Sequence, residues 1–599
     1  MVRVCDYIAD FIYQQGVNHV FLVSGGGMMF LSDGIASQSK IKAVCTHHEQ
    51  AAAMAAASYA KFTQNLGVAY LTTGCGGTNA VTGVLNAWQD NVPCLFISGQ
   101  SKRKETVRNS NLKLRQFGVQ EADIISIVES ITKYSLMIND PNDIKYQLEK
   151  AVFLAKSGRP GPVWLDIPLD VQSALIDVDN LRSFSFDKIE KQYKEIATAD
   201  ELEYIKEKLN NSKRPIVIAG QGIRISKAIA DFKKFIEAFE IPYVASRLGI
   251  DLLPGNHPLF IGRIGTKGDR AGNFAVQNSD LVIAIGSRLS VSSTGHEYAT
   301  FAREAEIIVI DIDPIEHLKN TIKIDRFINC DAGQFLKNLK NISFHKRTEW
   351  LIKCTEWKKK WPVCLPEYRE NDENGINTYV FVDVLSQNLK PDSVVISDAG
   401  SAFYVVSQGI MLKDDQRYIT SGGQAEMGYT TPASIGVCFA KDKNETIGIL
   451  GDGSFQMNIQ ELQTIVHHKL PVKLFVWNND GYSSIRETQE KFFDKRFIGT
   501  DSTSGISFPS LEKIAFAYGI KFFRIETYSH LDGMIKQVLS VDGPVLCEII
   551  CPRGQKVAPI VSSMRKDDGA MVSMPIEDMY PFLDRTEFLS NMIVKPLIN

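Results

Sequence analysis

TIGILGDGS (446–454) and VKLFVWNNDG (472–481) are two apolar runs that each end in glycine and polar residues. Continuous apolar runs of this length predict buried strands of a parallel sheet. Because parallel strands end at the same edge of a sheet, Asp452 and Asn479 are expected to lie together there. A carboxylate and an amide are hard oxygen ligands that suit Mg²⁺, which usually shares its coordination sphere with substrate phosphates. The two strand ends therefore predict a magnesium site.

The GDGS sequence also predicts a phosphate site. Gly453 and Ser454 open a helix after the first of these strands, and the free amides at a helix start favour a diphosphate. GDG by itself is equally typical of an ordinary turn. The second polar strand end, which follows after the 24 residues 454–477, favours a binding site over a turn.

The same alternation of apolar runs and helical patterns continues along the whole chain and restarts near residues 216 and 393. It predicts an α/β fold of three doubly wound parallel-sheet domains. Residues 49–61 predict an Ala-rich helix. The runs that predict strands are 19–23, 68–71, 94–98, 163–167, a run that starts at Ile216, 281–287, 306–313, 393–400, 446–454, 472–481 and 544–552. The predicted divisions are an N-terminal domain at 1–180, a middle domain at 190–345, a C-terminal domain at 370–552 and a tail at 553–599 that could serve as a lid.

The composition is that of a globular protein and excludes several classes. Of the 599 residues, 44% are hydrophobic and 23% charged, which excludes intrinsic disorder and fibrous repeats. The formal net charge of -3 gives no global field for a polyanion, so we expect no nucleic-acid partner. No apolar window approaches about 18 residues and no secretory signal is visible, so we expect no membrane partner. Scattered cysteines without zinc or disulfide spacing predict the cytoplasm.

GDGS and NN at this spacing resemble the thiamine-diphosphate-binding motif of the thiamine-dependent decarboxylases and acetohydroxyacid synthases. The resemblance to the synthase large subunit extends over residues 1–345 and 375–552. It implies Mg²⁺ bound by Asp452, Asn479 and the backbone carbonyl of Gly481. It also implies that Met427 is the wedge that bends thiamine diphosphate. The residues assigned to the cofactor on this basis are Gly25, Gly26, Thr73, Gly400, Met427, Gly453, Ser454, Asn479 and Tyr482.

Two further residues are assigned catalytic roles by the resemblance. Glu49, in HHEQAAAMAAASYA (47–60), matches the family's glutamate that acts on the aminopyrimidine ring of the cofactor. Without that context, a glutamate at a helix start is typical of dipole complementation, and His47-His48-Glu49 could suggest zinc although it lacks HExxH spacing. Gln120 matches a glutamine that faces the reaction centre and would position the donor keto acid. In this family two subunits share each active site, which implies a homodimer or homotetramer.

The sequence departs from the synthases on the acceptor side. Thr488 stands where they carry a tryptophan that selects the larger keto-acid acceptor, and a threonine there opens volume and supplies a hydroxyl. The loop 101–116 is rich in cations, which is typical either of a solvated loop or of an anion site. The cations are Lys102, Arg103, Lys104, Arg108, Lys113 and Arg115. Both features favour a nucleotide-linked acceptor, and residues 481–493 and 553–588 resemble the nucleotide-sugar carboligases of bacterial surface-polysaccharide synthesis.

The predicted function is therefore a thiamine-diphosphate-dependent transferase that decarboxylates pyruvate and adds the two-carbon unit to a nucleotide-linked 4-keto-deoxy sugar. Three alternatives stay open: an acetolactate synthase, with pyruvate as acceptor; a simple decarboxylase or oxidase; and a non-catalytic binding or regulatory paralogue. The middle domain resembles the FAD-binding domain of the synthases, but Arg288-Leu289-Ser290-Val291-Ser292 lacks the acids and second arginine of their cluster. FAD and a purely structural middle domain are both kept as interpretations.

Overall fold

A computed structural model describes residues 1–186, 196–339, 346–565 and 571–597. It contains three six-stranded sheets in which every neighbouring pair of strands is parallel. The predicted fold of three α/β domains with parallel sheets is confirmed. The predicted domain boundaries at residues 190 and 345 lie outside the described residues.

The strands of the three sheets follow each other along the chain. The N-terminal sheet consists of β1 (His19–Leu22), β2 (Lys42–Cys45), β3 (Gly67–Leu71), β4 (Cys94–Gln100), β5 (Tyr134–Met137) and β6 (Val163–Pro168). The middle sheet consists of β7 (Pro215–Ala219), β8 (Tyr243–Ala245), β9 (Phe260–Arg263), β10 (Leu281–Ile285), β11 (Glu306–Asp311) and β12 (Arg326–Asn329). The C-terminal sheet consists of β13 (Val394–Ser397), β14 (Arg417–Thr420), β15 (Thr446–Gly451), β16 (Val472–Asn478), β17 (Lys521–Ile525) and β18 (Val545–Ile550).

The N-terminal and C-terminal sheets share one topology. Their orders are β2-β1-β3-β4-β6-β5 and β14-β13-β15-β16-β18-β17, whereas the middle sheet has the order β9-β8-β7-β10-β11-β12. Both faces of each sheet are covered, as the alternation within β3 shows: Val68 and Tyr70 belong to one apolar cluster, and Ala69 and Leu71 to the other. Burial on both faces explains why the central strands read as continuous apolar runs.

Helices connect the strands in all three domains. Those of the N-terminal domain are Val4–Gln14, Met29–Ser37, Glu49–Thr63, Cys75–Asn79, Val81–Gln89, Val107–Ser110, Ile124–Val128, Ile144–Lys156 and Leu169–Gln172. Those of the middle domain are Ala199–Asn211, Gly222–Ile225, Ile229–Phe239, Arg270–Gln277, Val291–Thr294 and Ala332–Asn338, followed by Thr348–Lys360. Those of the C-terminal domain are Thr378–Asn388, Gly400–Gly409, Thr430–Ala440, Asp452–Met457, Glu461–His467, Ser483–Phe492, Leu511–Tyr518 and Tyr528–Ser540.

All the strands predicted from sequence are present, and the predicted Ala-rich helix runs from Glu49 to Thr63. The strands that sequence patterns missed are β8 and the edge strands β2, β5, β9, β12, β14 and β17. Several edge strands have exposed positions; β2, for example, has a single buried residue, Val44. An edge strand that packs on few neighbours has no continuous apolar run, and so its sequence resembles a loop.

Two central helices join the N-terminal and C-terminal domains. Glu49–Thr63 packs against Thr430–Ala440 through small residues, and a Cβ on Gly436 would lie 2.1 Å from the carbonyl oxygen of Ala55. The hydroxyl of Ser58 donates to the carbonyl of Ala433 at 3.0 Å. This close approach places the start of the Glu49 helix beside the C-terminal domain.

The C-terminal tail packs on the middle domain. It carries the helix Arg585–Asn591 and two short antiparallel strand pairs, Ile560–Val561 with Met579–Tyr580 and Ser563–Arg565 with Met571–Ser573. Gln277 donates to the Glu577 carboxylate at 2.6 Å, and the Trp357 indole donates to Asn591 at 2.9 Å. The role of this tail as a lid stays a prediction. Among the helices in the described ranges, none combines the length and apolar character needed to cross a bilayer.

Candidate active site

Asp452 connects the two strand ends that the sequence singles out. One carboxylate oxygen accepts a hydrogen bond from the Gly453 amide at 2.7 Å, and the other accepts from the Gly481 amide at 2.9 Å. The predicted proximity of these two strand ends is thus present. Asn479 donates through its side-chain nitrogen to the Ser483 hydroxyl at 3.1 Å, and its buried side-chain oxygen has no hydrogen-bond partner among the residues that the structure describes. A buried orphan amide oxygen beside a carboxylate fits a Mg²⁺ ligand pair.

The electrostatics of this site also fit a cation. Burial raises the pKa of Asp452 to about 6, against the opposing effect of hydrogen bonds from the backbone amides of Gly481, Gly453 and Asn479. A divalent cation bound to the carboxylate would favour its ionised form. Without a cation, ionising this buried carboxyl group destabilises the folded state.

Glycines let the two loops approach each other. A Cβ on Gly453 would lie 2.0 Å from a ring carbon of Tyr482, and one on Gly481 would lie 2.0 Å from the carbonyl oxygen of Thr500. Gly481 also has φ +117°, which disfavours any other residue. The Tyr482 ring therefore lies directly over the start of the Asp452 helix.

Asp398 joins three of the segments assigned to the cofactor. Its carboxylate accepts from the Ser454 hydroxyl at 2.5 Å and from the Thr430 amide at 3.1 Å, and the Ser454 hydroxyl accepts from the Gly428 amide at 2.8 Å. Gly400, with φ +63°, opens the helix that follows Asp398. The sequence prediction missed Asp398, although it carries the same signal as Asp452, an acidic residue directly after an apolar run.

Met427 lies half-buried in the segment Ser421–Gly428, which connects β14 to the helix Thr430–Ala440. Asn458 donates from one side-chain nitrogen to the Gly428 carbonyl at 2.8 Å and to the Gln50 side chain at 3.1 Å. Gln50 is the neighbour of Glu49, so one amide links the Met427 segment to the start of the Glu49 helix.

Glu49 is buried at the first position of its helix. Its carboxylate accepts from the Asn79 side chain at 2.9 Å, and a Cβ on Gly76 would lie 3.4 Å from it. Asn79 was not singled out from sequence. Among the described residues Asn79, a neutral donor, is the side chain that donates to the Glu49 carboxylate, whose other lone pairs can accept a further hydrogen bond from a bound ligand.

The glycine loops surround Glu49 at the carboxyl ends of β1 and β3. A Cβ on Gly25 would lie 2.3 Å from the Thr72 hydroxyl oxygen, whereas Gly26 faces open space. The Thr73 hydroxyl donates to the Gly99 carbonyl at 3.0 Å. Gly25, Gly26 and Thr73 therefore lie in one group of loops with Glu49.

Gln120 belongs to the same group through its backbone. A Cβ on Gly74 would lie 2.0 Å from the Gln120 carbonyl oxygen, and Gln120 has φ +58° with an exposed side chain. Sparsely populated backbone conformations of this kind persist where the surroundings impose them, and they cluster at functional sites. The buried Glu121 carboxylate, which accepts from the amides of Phe117 at 2.7 Å and Gly118 at 3.1 Å, fixes the chain beside it.

The two acceptor-side residues are exposed. The Thr488 hydroxyl donates to the Ser484 carbonyl at 3.0 Å within its own helix, and Arg115 lies on the basic loop. Three cations of that loop are engaged in ion pairs, Arg103 with Asp170 at 2.8 Å, Arg108 with Asp123 at 2.9 Å and Lys104 with Glu105 at 3.9 Å. The acceptor-side roles of Thr488 and Arg115 stay predictions.

Glu461 couples the two domains at this site and makes stability depend on pH. It is fully buried and accepts from the His47 amide at 3.0 Å and the Thr464 hydroxyl at 2.8 Å. Burial raises its pKa from 4.5 to about 7. The folded state therefore favours the neutral acid, and the contribution of Glu461 to stability falls as pH rises from 4.5 towards 7.

Glu461→Gln, which stays neutral, is expected to raise the melting temperature relative to the wild type more at pH 8 than at pH 4.5. The measurement is thermal unfolding across this pH range. A melting-temperature difference that is the same at both pH values would contradict the assignment.

Three family descriptions match the chain: the N-terminal TPP binding domain of thiamine pyrophosphate enzymes at residues 2–127, the central domain at 202–339 and the C-terminal TPP binding domain at 398–549. The acetolactate synthase large subunit of Lactococcus lactis subsp. lactis (strain IL1403) is 32% identical over 548 residues, 91% of this chain and 92% of its own. The chain belongs to the thiamine pyrophosphate enzyme family. Other relatives are the acetolactate synthase large subunit of Cyanidium caldarium, 31% identical over 93% of this chain and 94% of its own, and the acetolactate synthase of Arthrospira platensis, 32% identical over 93% and 95%.

These matches confirm that the chain is a thiamine-diphosphate-dependent enzyme related to the acetolactate synthases, a family that forms carbon–carbon bonds. The resemblance to the nucleotide-sugar carboligases stays an expectation. In this thiamine pyrophosphate enzyme the matched terminal domains are the ones that carry the residues predicted to bind the cofactor.

A cavity of about 370 Å³ lies on the central domain of this thiamine pyrophosphate enzyme and is also lined by Asp90 of the N-terminal domain and by Gly422 and Gly423 of the C-terminal domain. It lies where β7 and β10 are neighbours and the sheet order reverses, the place where α/β folds of this order bind dinucleotides. Gly220 and Gly286 end these strands in close contact, since a Cβ on Gly220 would lie 2.0 Å from the Gly286 carbonyl. Asp311, Arg288 and the N-terminal-domain residue Arg159 line the cavity.

Proposed function

We propose that the chain decarboxylates pyruvate and joins the resulting two-carbon unit to a second pyruvate, forming acetolactate. The relatives named above support this acceptor better than the nucleotide-linked sugar that the sequence favoured. The observation that carries the proposal is the Asp452–Asn479 pair, with its orphan buried amide oxygen, in a chain that also keeps a buried Glu49.

Thiamine diphosphate, when bound, supplies an electron sink for the carbanion left when a keto acid loses CO₂. Asp452, Asn479 and the Gly481 carbonyl would hold Mg²⁺ and through it the diphosphate. Met427 and Gly428 would contact the middle of the cofactor, and Glu49 would hold a proton shared with its aminopyrimidine ring. Gln120, exposed beside Gly74, would orient the donor keto acid.

The remaining roles rest on the resemblance. A homodimer or homotetramer with shared sites is supported by the exposed side chain of Gln120 and by exposed apolar residues near the site, such as Val119 and Ile485.

FAD binding is supported by the cavity at the switch point of the middle sheet, where the Asp311 carboxylate would meet a ribose hydroxyl. Visible absorbance of the purified protein tests for flavin.

A nucleotide-linked 4-keto-deoxy sugar is the second candidate acceptor, and the exposed Thr488 favours it. The test is mass spectrometry of the products from pyruvate alone and from pyruvate with nucleotide keto sugars. Acetolactate from pyruvate alone supports the proposal. A product that appears only with the sugar, and that keeps the acetyl carbons of pyruvate, supports the second acceptor. No turnover of pyruvate at all supports the non-catalytic paralogue.

Thr488→Trp separates the two acceptors. A bulky ring on this exposed helix position is expected to lower kcat/KM for a nucleotide-sugar acceptor by about tenfold or more and to leave acetolactate formation within about twofold, because pyruvate needs less space. Thr488→Ser keeps the hydroxyl and serves as the matched control. Equal effects of Thr488→Trp on both reactions would remove Thr488 from the acceptor side.

A further inference from the structure

The Met427 segment is held in place by an acid from another domain. The Asp90 carboxylate is 1% exposed and accepts from the Gly422 amide at 2.8 Å and from the Gly423 amide at 2.7 Å. Its two oxygens thus fix two successive amides at the start of the segment Ser421–Gly428.

Lys61 fixes the ends of the same segment. Its ammonium donates to Asp90 at 2.7 Å, to the Thr420 carbonyl at 2.9 Å and to the Tyr429 hydroxyl at 3.2 Å. Thr420 and Tyr429 are the residues that immediately precede and follow the segment. Burial alone lowers the pKa of Lys61, but the Asp90 charge and hydrogen bond, together with Tyr429 and Glu426, outweigh it and keep the group charged. Removing one partner leaves an uncompensated buried charge.

The segment needs such restraint because its conformation is unfavourable. Ala425 has φ +52°, in the left-handed region that costs energy for a residue with a Cβ. Conformations of this kind persist only where surrounding contacts impose them. The Ala425 amide donates to the Ser421 carbonyl at 3.1 Å, so fixing the Ser421–Gly423 end also fixes the turn before Met427.

We propose that Lys61 and Asp90 are positioning residues that hold the Met427 segment in its cofactor-binding conformation from the N-terminal domain. The inference rests on the proposed function, since it takes Met427 to contact thiamine diphosphate. Neither residue touches the reacting atoms: Asp90 acts through the Gly422 and Gly423 amides, and Lys61 acts through Asp90, Thr420 and Tyr429.

The test measures cofactor affinity and thermal stability together. Asp90→Asn keeps the shape of the side chain but removes one of the two acceptors and the charge. Its Kd for thiamine diphosphate, from calorimetry at saturating Mg²⁺, is expected to rise about tenfold or more. Gly423→Ala leaves both charges in place and moves the segment, because its Cβ would lie 2.7 Å from the Gln89 Cβ and 3.3 Å from Asp90. A similar rise in the Kd for thiamine diphosphate is expected for Gly423→Ala, so the inference stays testable if Asp90→Asn fails to fold.

Glu577→Gln is the matched control. Glu577 is also 1% exposed and pairs with Arg303 at 2.8 Å, between the tail and the middle domain. The Glu577→Gln variant is expected to have a lower melting temperature and an unchanged Kd for thiamine diphosphate. Asp90→Asn and Gly423→Ala variants that lower the melting temperature like the control, with wild-type Kd, would overturn the inference. Wild-type protein that binds no thiamine diphosphate would instead overturn the proposed function.

Discussion

Glu49→Gln is expected to lower kcat by about 10²- to 10⁴-fold, the range that positioned acid–base groups contribute. A glutamine keeps the hydrogen bond from Asn79, which lies at 2.9 Å, but it cannot exchange a proton with a bound cofactor. The measurement is steady-state turnover of pyruvate, with thiamine diphosphate affinity measured in parallel by calorimetry.

Glu129→Gln supplies the control for this variant, because Glu129 is exposed in the same domain. It is expected to keep wild-type turnover. Wild-type activity in Glu49→Gln would remove Glu49 from the catalytic machinery, whereas lost activity with unchanged cofactor affinity supports a role in proton transfer over one in binding.

Asp452→Asn is expected to weaken Mg²⁺-dependent binding of thiamine diphosphate by more than about 100-fold. Changes in residues that only support metal ligands already cost about 10–100-fold in affinity. The amide also places a donor opposite the Gly453 or Gly481 amide, both of which donate to Asp452. Calorimetry at several Mg²⁺ concentrations measures the effect.

Asp480→Asn is the matched control, since Asp480 is an exposed carboxylate next to Asn479. Its Kd is expected to stay within about twofold of the wild type, because exposed charges contribute little. Equal effects of the two variants would mean that Asp452 acts through general charge and not as a ligand.

The sequence predicted most of the central strands of the three sheets and the two strand ends that carry Asp452 and Asn479. Asp452 and Asn479 could be found because each follows a continuous apolar run, and parallel strands bring such ends together. Glu49 and Gln120 depended on the resemblance, since neither has a distinctive local pattern. Asp398 carried a usable signal, whereas Asn79 and Asn458 carried none because their roles arise from side-chain contacts with segments distant in the sequence.

The sequence by itself determined the parallel α/β class and the pairing of the two strand ends that carry Asp452 and Asn479, because burial on both faces of a sheet is encoded in short local runs. Only the tertiary structure decided which edge strands complete the sheets and which charged side chains contact the Met427 segment. Asp90 and Gly422 lie 332 residues apart, and their contact forms only when two domains pack together. Whether a charge such as Lys61 is solvated or buried beside its partner depends on that packing and not on its neighbours in the chain.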